Sequence, residues 1–369
     1  MKSLQQHLQP GETKRILSLD GGGIRGALTL GYLKRMEDIL KAKSDNPAAF
    51  RLCHYFDLIG GTSTGAIIAS SLAIGLTVDE ITQMYMSLGN QIFKNKWLHR
   101  DAIYARYSDR RLTMELKELF KDITLGDNRI LTGLCIVAKR IDTNSTWFFL
   151  NNPAGIYYGY NKQLNLWEIV KASASAPSYF LPVLIDVGNE EKGAFVDGGV
   201  SLSNNPAFSL LMVSQLKGFN YNWGLGEDNI QLYSVGTGYA SIKENYSIYR
   251  RKNLFYWAMA ISDFYMDDAN WHNQAILQWL SRSDTAKIID SEVGHLHDDF
   301  LTTPPAIKYY RYNFEMSIDN LNSLFLDHPP FKKADVKSLL KMDKAANSEL
   351  LYKIGVRDAL DDIKEAHFS

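Results

Sequence analysis

The strongest constraint on this chain is a pair of glycine-rich turns, each preceded by an apolar, strand-like run and followed by a helix-like stretch. The first, Asp20-Gly21-Gly22-Gly23-Ile24-Arg25-Gly26, follows Arg15-Ile16-Leu17-Ser18-Leu19. The second, Gly60-Gly61-Thr62-Ser63-Thr64-Gly65, follows Phe56-Asp57-Leu58-Ile59. Strand, tight turn and helix is the context that Gly-x-Ser-x-Gly needs. The flanking glycines, here Gly61 and Gly65, let the chain turn sharply enough to hold Ser63 exposed at the strand end, beside the amides and partial positive charge of the next helix. A serine held in that way can attack an acyl carbon.

The triple glycine has a complementary reading. Without Cβ atoms, Gly21, Gly22 and Gly23 reach backbone angles closed to other residues and can turn several N–H groups toward one point, which suits an oxyanion as well as a phosphate. The same string fits Gly-x-Gly-x-x-Gly, the dinucleotide fingerprint. That fingerprint wants a second strand ending in Asp or Glu about 20 residues further on. Here Ala27 to Lys43 reads as one continuous amphipathic helix, and the next strand ends in Gly60-Gly61. The nucleotide reading therefore fares poorly, and a plain structural turn remains the other alternative.

Ser63 needs a base, and the usual one is a histidine held by a carboxylate. The chain has eight histidines, none in a recognisable motif: His54 precedes the nucleophile strand, His99 lies in a Trp-Leu-His-Arg stretch, and His272 sits within a helical pattern. What does stand in a motif is Asp197, in Phe195-Val196-Asp197-Gly198-Gly199, followed by Asn204-Asn205-Pro206. A carboxylate at a strand end, with Gly198 and Gly199 behind it to allow close approach, could accept the Ser63 proton directly. Taken alone, Asp-Gly-Gly is equally a turn sequence.

Together the three blocks resemble the patatin-like phospholipase family. Its Asp-Gly-Gly-Gly-x-Arg-Gly block is met by Asp20 to Gly26, its Gly-x-Ser-x-Gly by Gly61 to Gly65, and its Asp-Gly-Gly by Asp197 to Gly199. The run Ala172-Ser173-Ala174-Ser175-Ala176-Pro177 is similar to a further small-residue block of the family. The resemblance runs from about Lys14 to Gly238. It implies a patatin-like three-layer α/β fold and a Ser63–Asp197 dyad acting on acyl esters of membrane phospholipids through an acyl-enzyme. The oxyanion would be held by the loop of Gly21, Gly22 and Gly23. Arg25 would orient that loop, contact a lipid phosphate, or form a structural ion pair. Neither a metal nor an organic cofactor is implied. Compact bacterial members of the family include anti-phage effectors switched on by cyclic nucleotides, so the resemblance also implies a cyclic nucleotide as candidate activator.

Composition narrows the partners. With 46% hydrophobic residues the chain can bury a large core. A net charge of -1 gives no electrostatic case for a nucleic acid polymer. Cys53 and Cys135 make neither a disulfide framework nor a zinc spacing and read as buried free thiols. The opening residues Met1 to His7 lack the apolar stretch of a signal peptide, and Ala66 to Val78 is too short to span a bilayer. The expectation is a cytoplasmic protein acting at the inner membrane surface.

Further along, strand and helix patterns alternate. Thr77-Val78-Asp79-Glu80 is a capping box opening a helix toward Gly89. Arg111 to Lys121 is helical; Ile130 to Ile141 and Thr146 to Leu150 read as strands joined by a polar turn; Asn165 caps a helix into the Ala-Ser run. Strands at Val183–Ile185, Ala194–Val196 and Ile230–Val235, with a helix from Pro206, complete the pattern. Such alternation predicts a mostly parallel sheet covered on both faces, with ligands beyond the carboxyl ends of its strands.

From about Ala240 the character changes to a long helix, Leu254 to Leu280, a polar loop, a strand at Lys308–Tyr312 and helices from Lys332. Residues 14–240 are read as the catalytic core and 241–369 as a helix-rich extension packed on it, a natural place for a regulatory switch or for homo-oligomer assembly. His295-Leu296-His297-Asp298-Asp299 has residue types a metal could use, though solvated side chains explain it as well. Leu254 to Met259 is rich in aromatics, which serve a core or a membrane interface. Two rival functions remain: an α/β-hydrolase esterase with a Ser-His-Asp triad, and a catalytically silent lipid- or nucleotide-sensing protein.

Overall fold

A computed structural model describes residues 2–92, 105–188, 191–240 and 252–368. In chain order its strands are β1 (Lys14–Leu19), β2 (Leu58–Thr62), β3 (Gly133–Arg140), β4 (Ser145–Leu150), β5 (Val183–Gly188), β6 (Glu191–Asp197), β7 (Ile230–Val235), β8 (Ser281–Arg282) and β9 (Ile307–Tyr312). They form one sheet in the order β5-β6-β3-β2-β1-β7-β9-β8, with β4 pairing β3 off that path. The central pairs β3/β2, β2/β1, β1/β7, β7/β9 and β9/β8 are parallel. The pairs of β3 with β4 and β6, and of β5 with β6, are antiparallel.

Alternate residues of the parallel strands feed two cores. Leu17, Leu19, Ile59 and Ile136 point into one, built with the helices Gly26–Ala42, Thr64–Ala73 and Leu166–Ala174. Ile16, Leu58, Val137 and Leu232 point into the other, against the helix Ala207–Gln215 and Leu277. Both faces of these strands are covered, and each buried Leu or Ile contributes about 1.5–3 kcal/mol relative to exposure. The result is the mostly parallel, three-layer α/β architecture expected.

The sheet continues past residue 240, because β9 extends it beyond β7. The chain after 240 also packs on the first glycine motif. The helix Ser348–Asp362 crosses Gly26–Ala42 where Gly31 meets Gly355. A methyl on Gly31 would lie 2.5 Å from the Val356 nitrogen, and one on Gly355 would lie 2.2 Å from the Leu28 carbonyl oxygen, so the backbones touch there and only glycine fits.

One detail of register positions everything that follows. Along a single edge of β3, β2 pairs up to Thr62 opposite Val137, and β6 takes over with Asp197 opposite Ala138. β2 runs parallel to β3 and β6 antiparallel, so their carboxyl ends meet head-on at adjacent β3 residues. The alternation of elements alone did not foresee this; it placed all three motifs at the ends of co-directional strands.

Candidate active site

Ser63 lies between β2 and the helix Thr64–Ala73 with φ +56°, a left-handed angle that a non-glycine residue takes only under local compulsion. The compulsion is the close approach of the helix to the strand ends. A methyl on Gly61 would lie 2.2 Å from Gly65 atoms, and one on Gly65 would lie 2.2 Å from the Leu19 carbonyl oxygen at the end of β1. The Ala-Ser run anchors both candidate residues. The Ser63 N–H donates to Ser173 Oγ at 2.9 Å, and Ser173 in turn donates to the Val137 carbonyl at 2.6 Å. The Asp197 N–H donates to the Ser175 carbonyl at 3.0 Å.

Asp197 is buried, and its carboxylate accepts from the Gly199 N–H at 2.7 Å. Burial pushes its pKa up to about 6, against the opposing pull of hydrogen bonds from the Ser63 hydroxyl and Gly199, both of which favour the charged form. Gly198 has no room for a side chain, since a methyl would sit 2.6 Å from the Val137 carbonyl oxygen. The carboxylate is therefore close to Ser63, desolvated, and poised to titrate near neutrality.

The first glycine turn lies over the serine: a methyl on Gly21 would stand 3.3 Å from Ser63 Cβ and 2.5 Å from Asn204 Oδ1. Its amides are not equivalent. The Gly21 N–H donates to the Asn204 carbonyl at 2.9 Å and is engaged within the protein. The Gly21 carbonyl accepts from Thr237 Oγ1 at 3.0 Å, and the Gly22 carbonyl accepts from Arg25 through its backbone N–H at 3.2 Å and Nε at 3.4 Å. In a trans peptide the N–H points opposite to its C=O. The Gly22 and Gly23 amides are thus turned away from Thr237 and Arg25, and neither has a backbone acceptor among the described residues. Arg25 also donates to the Gly238 carbonyl at 3.2 Å, so of the roles considered for it the loop-orienting one has geometric support.

Asp20, which opens the turn, is held by a residue that no local motif singles out. Arg311 on β9 makes a bidentate pair with it, at 3.0 Å and 2.7 Å, and a further bond to Ser234 Oγ at 2.7 Å. Both ionic groups are buried. In a strand reading Lys-Tyr-Tyr-Arg-Tyr, an arginine is as easily a solvated edge residue, and only tertiary pairing reveals its role.

Beside Ser63 opens an apolar cleft, an empty space of about 630 Å3 that includes its open mouth. Ile67, Tyr85, Leu88, Ile92, Phe180 and Met342 are among its walls. The signal for it was present in the helix Val78–Ile92, where Tyr85, Leu88 and Ile92 recur at helical spacing, but that stripe reads equally as core.

No described histidine lines this cleft. His54 Nδ1 accepts from the Arg51 N–H at 3.0 Å and His272 is exposed, while His99 lies outside the described residues. Among the described residues no three His, Cys, Asp or Glu side chains are grouped to hold a metal, and His295 and His297 stand in a loop. Cys53 and Cys135 are buried and free, with burial pushing the Cys53 thiol up to about 12. The aromatic stretch Leu254–Met259 is helical; of its side chains those of Tyr256 and Trp257 are described, and Trp257 is exposed. No helix among the described residues is long and apolar enough to cross a membrane.

Sheet, strand–turn–helix serine and apolar cleft together are those of an α/β protein with its candidate site at the carboxyl ends of its strands. Residues 17–211, more than half of the chain, match the family model for patatin-like phospholipase, and the chain belongs to that family. A cUMP-AMP-activated phospholipase from Escherichia coli is 33% identical over 205 residues, covering 53% of this chain and 58% of that protein. A cGAMP-activated phospholipase from Escherichia coli (strain TW11681) is 28% identical over 237 residues, covering 63% and 64%. Patatin-17 from Solanum cardiophyllum is 29% identical over 258 residues, covering 63% and 62%. The chain thus spans about three fifths of the length of these relatives.

Proposed function

We propose that this chain is a lipid acyl hydrolase of the phospholipase A type, cleaving acyl esters of membrane phospholipids through Ser63 and Asp197. Asp197 takes the Ser63 proton as Oγ attacks the ester carbonyl, the Gly22 and Gly23 amides receive the oxyanion, and the alcohol portion leaves with the proton. Water, activated by the same carboxylate, then releases the fatty acid. The observation that carries this reading is the meeting of β2 and β6 on adjacent β3 residues, which brings a strained serine and a desolvated carboxylate together beside an apolar cleft. The absence of a histidine from the cleft lining among the described residues favours it over a Ser-His-Asp triad.

A cyclic nucleotide is proposed as activator, on the support of relatives whose names state activation by cUMP-AMP or cGAMP. The proposal extends to action at the inner membrane surface and to a role in antiviral defence. Residues 14–240 would form the catalytic core and 241–369 the extension through which activation acts. The test is mass analysis of products from mixed phospholipid vesicles, with and without a panel of cyclic di- and trinucleotides, for the full chain and for Ser63→Ala. Fatty acid and lysophospholipid should appear only with intact Ser63 and should increase with one nucleotide. Equal release by the Ser63→Ala protein would overturn the mechanism, and indifference to every nucleotide would remove the activator.

A further inference from the structure

Tyr85 belongs to the cleft wall, but its hydroxyl reaches past the cleft into the glycine turn. It donates to the Gly23 carbonyl at 2.5 Å and is also hydrogen-bonded to Thr64 Oγ1, the side chain next to Ser63. A phenol has one proton, and here the Gly23 carbonyl takes it, so Thr64 must be the donor to the phenol oxygen. A directed chain therefore runs from the residue after the nucleophile, through the cleft wall, to the oxyanion loop. The glycine that ends the first motif makes room for it: a methyl on Gly26 would lie 2.6 Å from the Tyr85 hydroxyl and 2.7 Å from Thr64 Oγ1.

Gly23 is the joint that needs holding. Its φ of +56° is freely exchanged by glycine for other values, and a rotation there would swing the amides of the turn. The peptide after it is gripped on both sides, with Tyr85 on the Gly23 carbonyl and the Met342 carbonyl accepting from the Ile24 N–H at 2.8 Å. We propose that Tyr85 is a positioning residue for the oxyanion loop, its hydroxyl oriented by Thr64 so that the Gly22 and Gly23 amides stay aimed at the acyl group on Ser63. The inference rests on the lipid acyl hydrolase reading above. Burial pushes the Tyr85 phenol upward, so it remains a protonated donor across the working pH range. Because the same side chain lines the cleft, an acyl chain lying on its ring touches the group that holds the loop.

The test uses the full-length protein and two readouts: steady-state hydrolysis of soluble acyl esters, and the rate at which a fluorophosphonate labels Ser63. Tyr85→Phe keeps the ring in the cleft wall and removes the hydroxyl. It should lower kcat on the order of tenfold or more with KM within about twofold, since an aiming defect is felt in the transition state rather than in ground-state binding. Labelling should slow in parallel, because the phosphonyl oxygen enters the same hole. Thr64→Val, which removes the donor to the phenol, should change both in the same direction by less. A folded Tyr85→Phe protein with unchanged kcat, or with a defect confined to KM, overturns the proposal. If circular dichroism shows Tyr85→Phe unfolded, Thr64→Val decides by the same criterion. A wild-type protein that neither hydrolyses esters nor labels at Ser63, with or without the panel of cyclic nucleotides, overturns the functional reading itself, and this proposal with it.

Discussion

Arg311 closes a bidentate ion pair on Asp20 from the opposite end of the chain, and the pair sits beneath the glycine turn with both partners buried. Burial pushes the Asp20 carboxyl upward while the Arg311 guanidinium pulls it down. Such a pair holds geometry more than it adds stability, but removing one partner strands the other charge. Arg311→Met should therefore destabilise the protein by about 3–5 kcal/mol. The double variant Asp20→Asn/Arg311→Met should lose much less than the two single losses added together. Urea denaturation of the four proteins checks this, and additive losses would mean the two residues act separately.

Ser63→Ala and Asp197→Ala should each abolish ester hydrolysis with native circular dichroism. Residues that act as a unit are strongly non-additive, so the double variant should be little slower than either single one. Product release from phospholipid vesicles is the measurement. A folded Ser63→Ala protein near normal turnover would end the dyad mechanism.

The pH profile follows from Asp197, which must be charged to accept a proton. With its carboxyl near 6, kcat/KM should be level above about pH 7 and fall roughly tenfold per unit below about 6. Stability runs the other way. A carboxyl raised from 3.8 to about 6 binds its proton more tightly in the folded state, so its contribution is full at low pH and is lost as pH rises through about 4 to 6, by about 3 kcal/mol in all. Asp197→Asn should accordingly gain stability relative to wild type at pH 8 compared with pH 4. Parallel denaturation curves at the two values test it, and a constant difference would refute the raised pKa.

Gly22 has no space for any side chain, because a methyl there would lie 2.3 Å from Thr237 Oγ1 and 2.7 Å from its Cβ. Gly22→Val must displace the turn and with it the two outward amides. Turnover should fall on the order of 10²-fold or more, with a much smaller change in KM. A change in KM alone would make the turn a binding element.

Much of the site was legible because its parts are local. The glycines of each turn and the serine between them are specified by backbone geometry within a few residues, and Asp197 announces itself by the glycines that follow. The long helix was expected over Leu254 to Leu280, and the structure has it over the same residues. What stayed hidden depends on distant pairing. Arg311, Tyr85 and Met342 approach the turn only after the sheet is assembled, and nothing near them in sequence distinguishes a loop anchor from a surface arginine or a core tyrosine. The antiparallel arrival of β6 was hidden for the same reason, since a strand's direction is not written in its alternation.

The junction on β3 has a consequence for how such a site can persist through mutation. Because Thr62 and Asp197 are set against Val137 and Ala138 by main-chain pairing, the spacing between nucleophile and base is measured out in peptide units and not in side-chain contacts. Substitutions along β3 that keep its volume leave that spacing untouched. Inserting or deleting one residue before Asp197 would turn its carboxyl to the opposite face of the sheet, since successive strand residues alternate. The site is thus tolerant of substitution and intolerant of indels, a graduated rule whose divisions are the hydrogen bonds of a single strand.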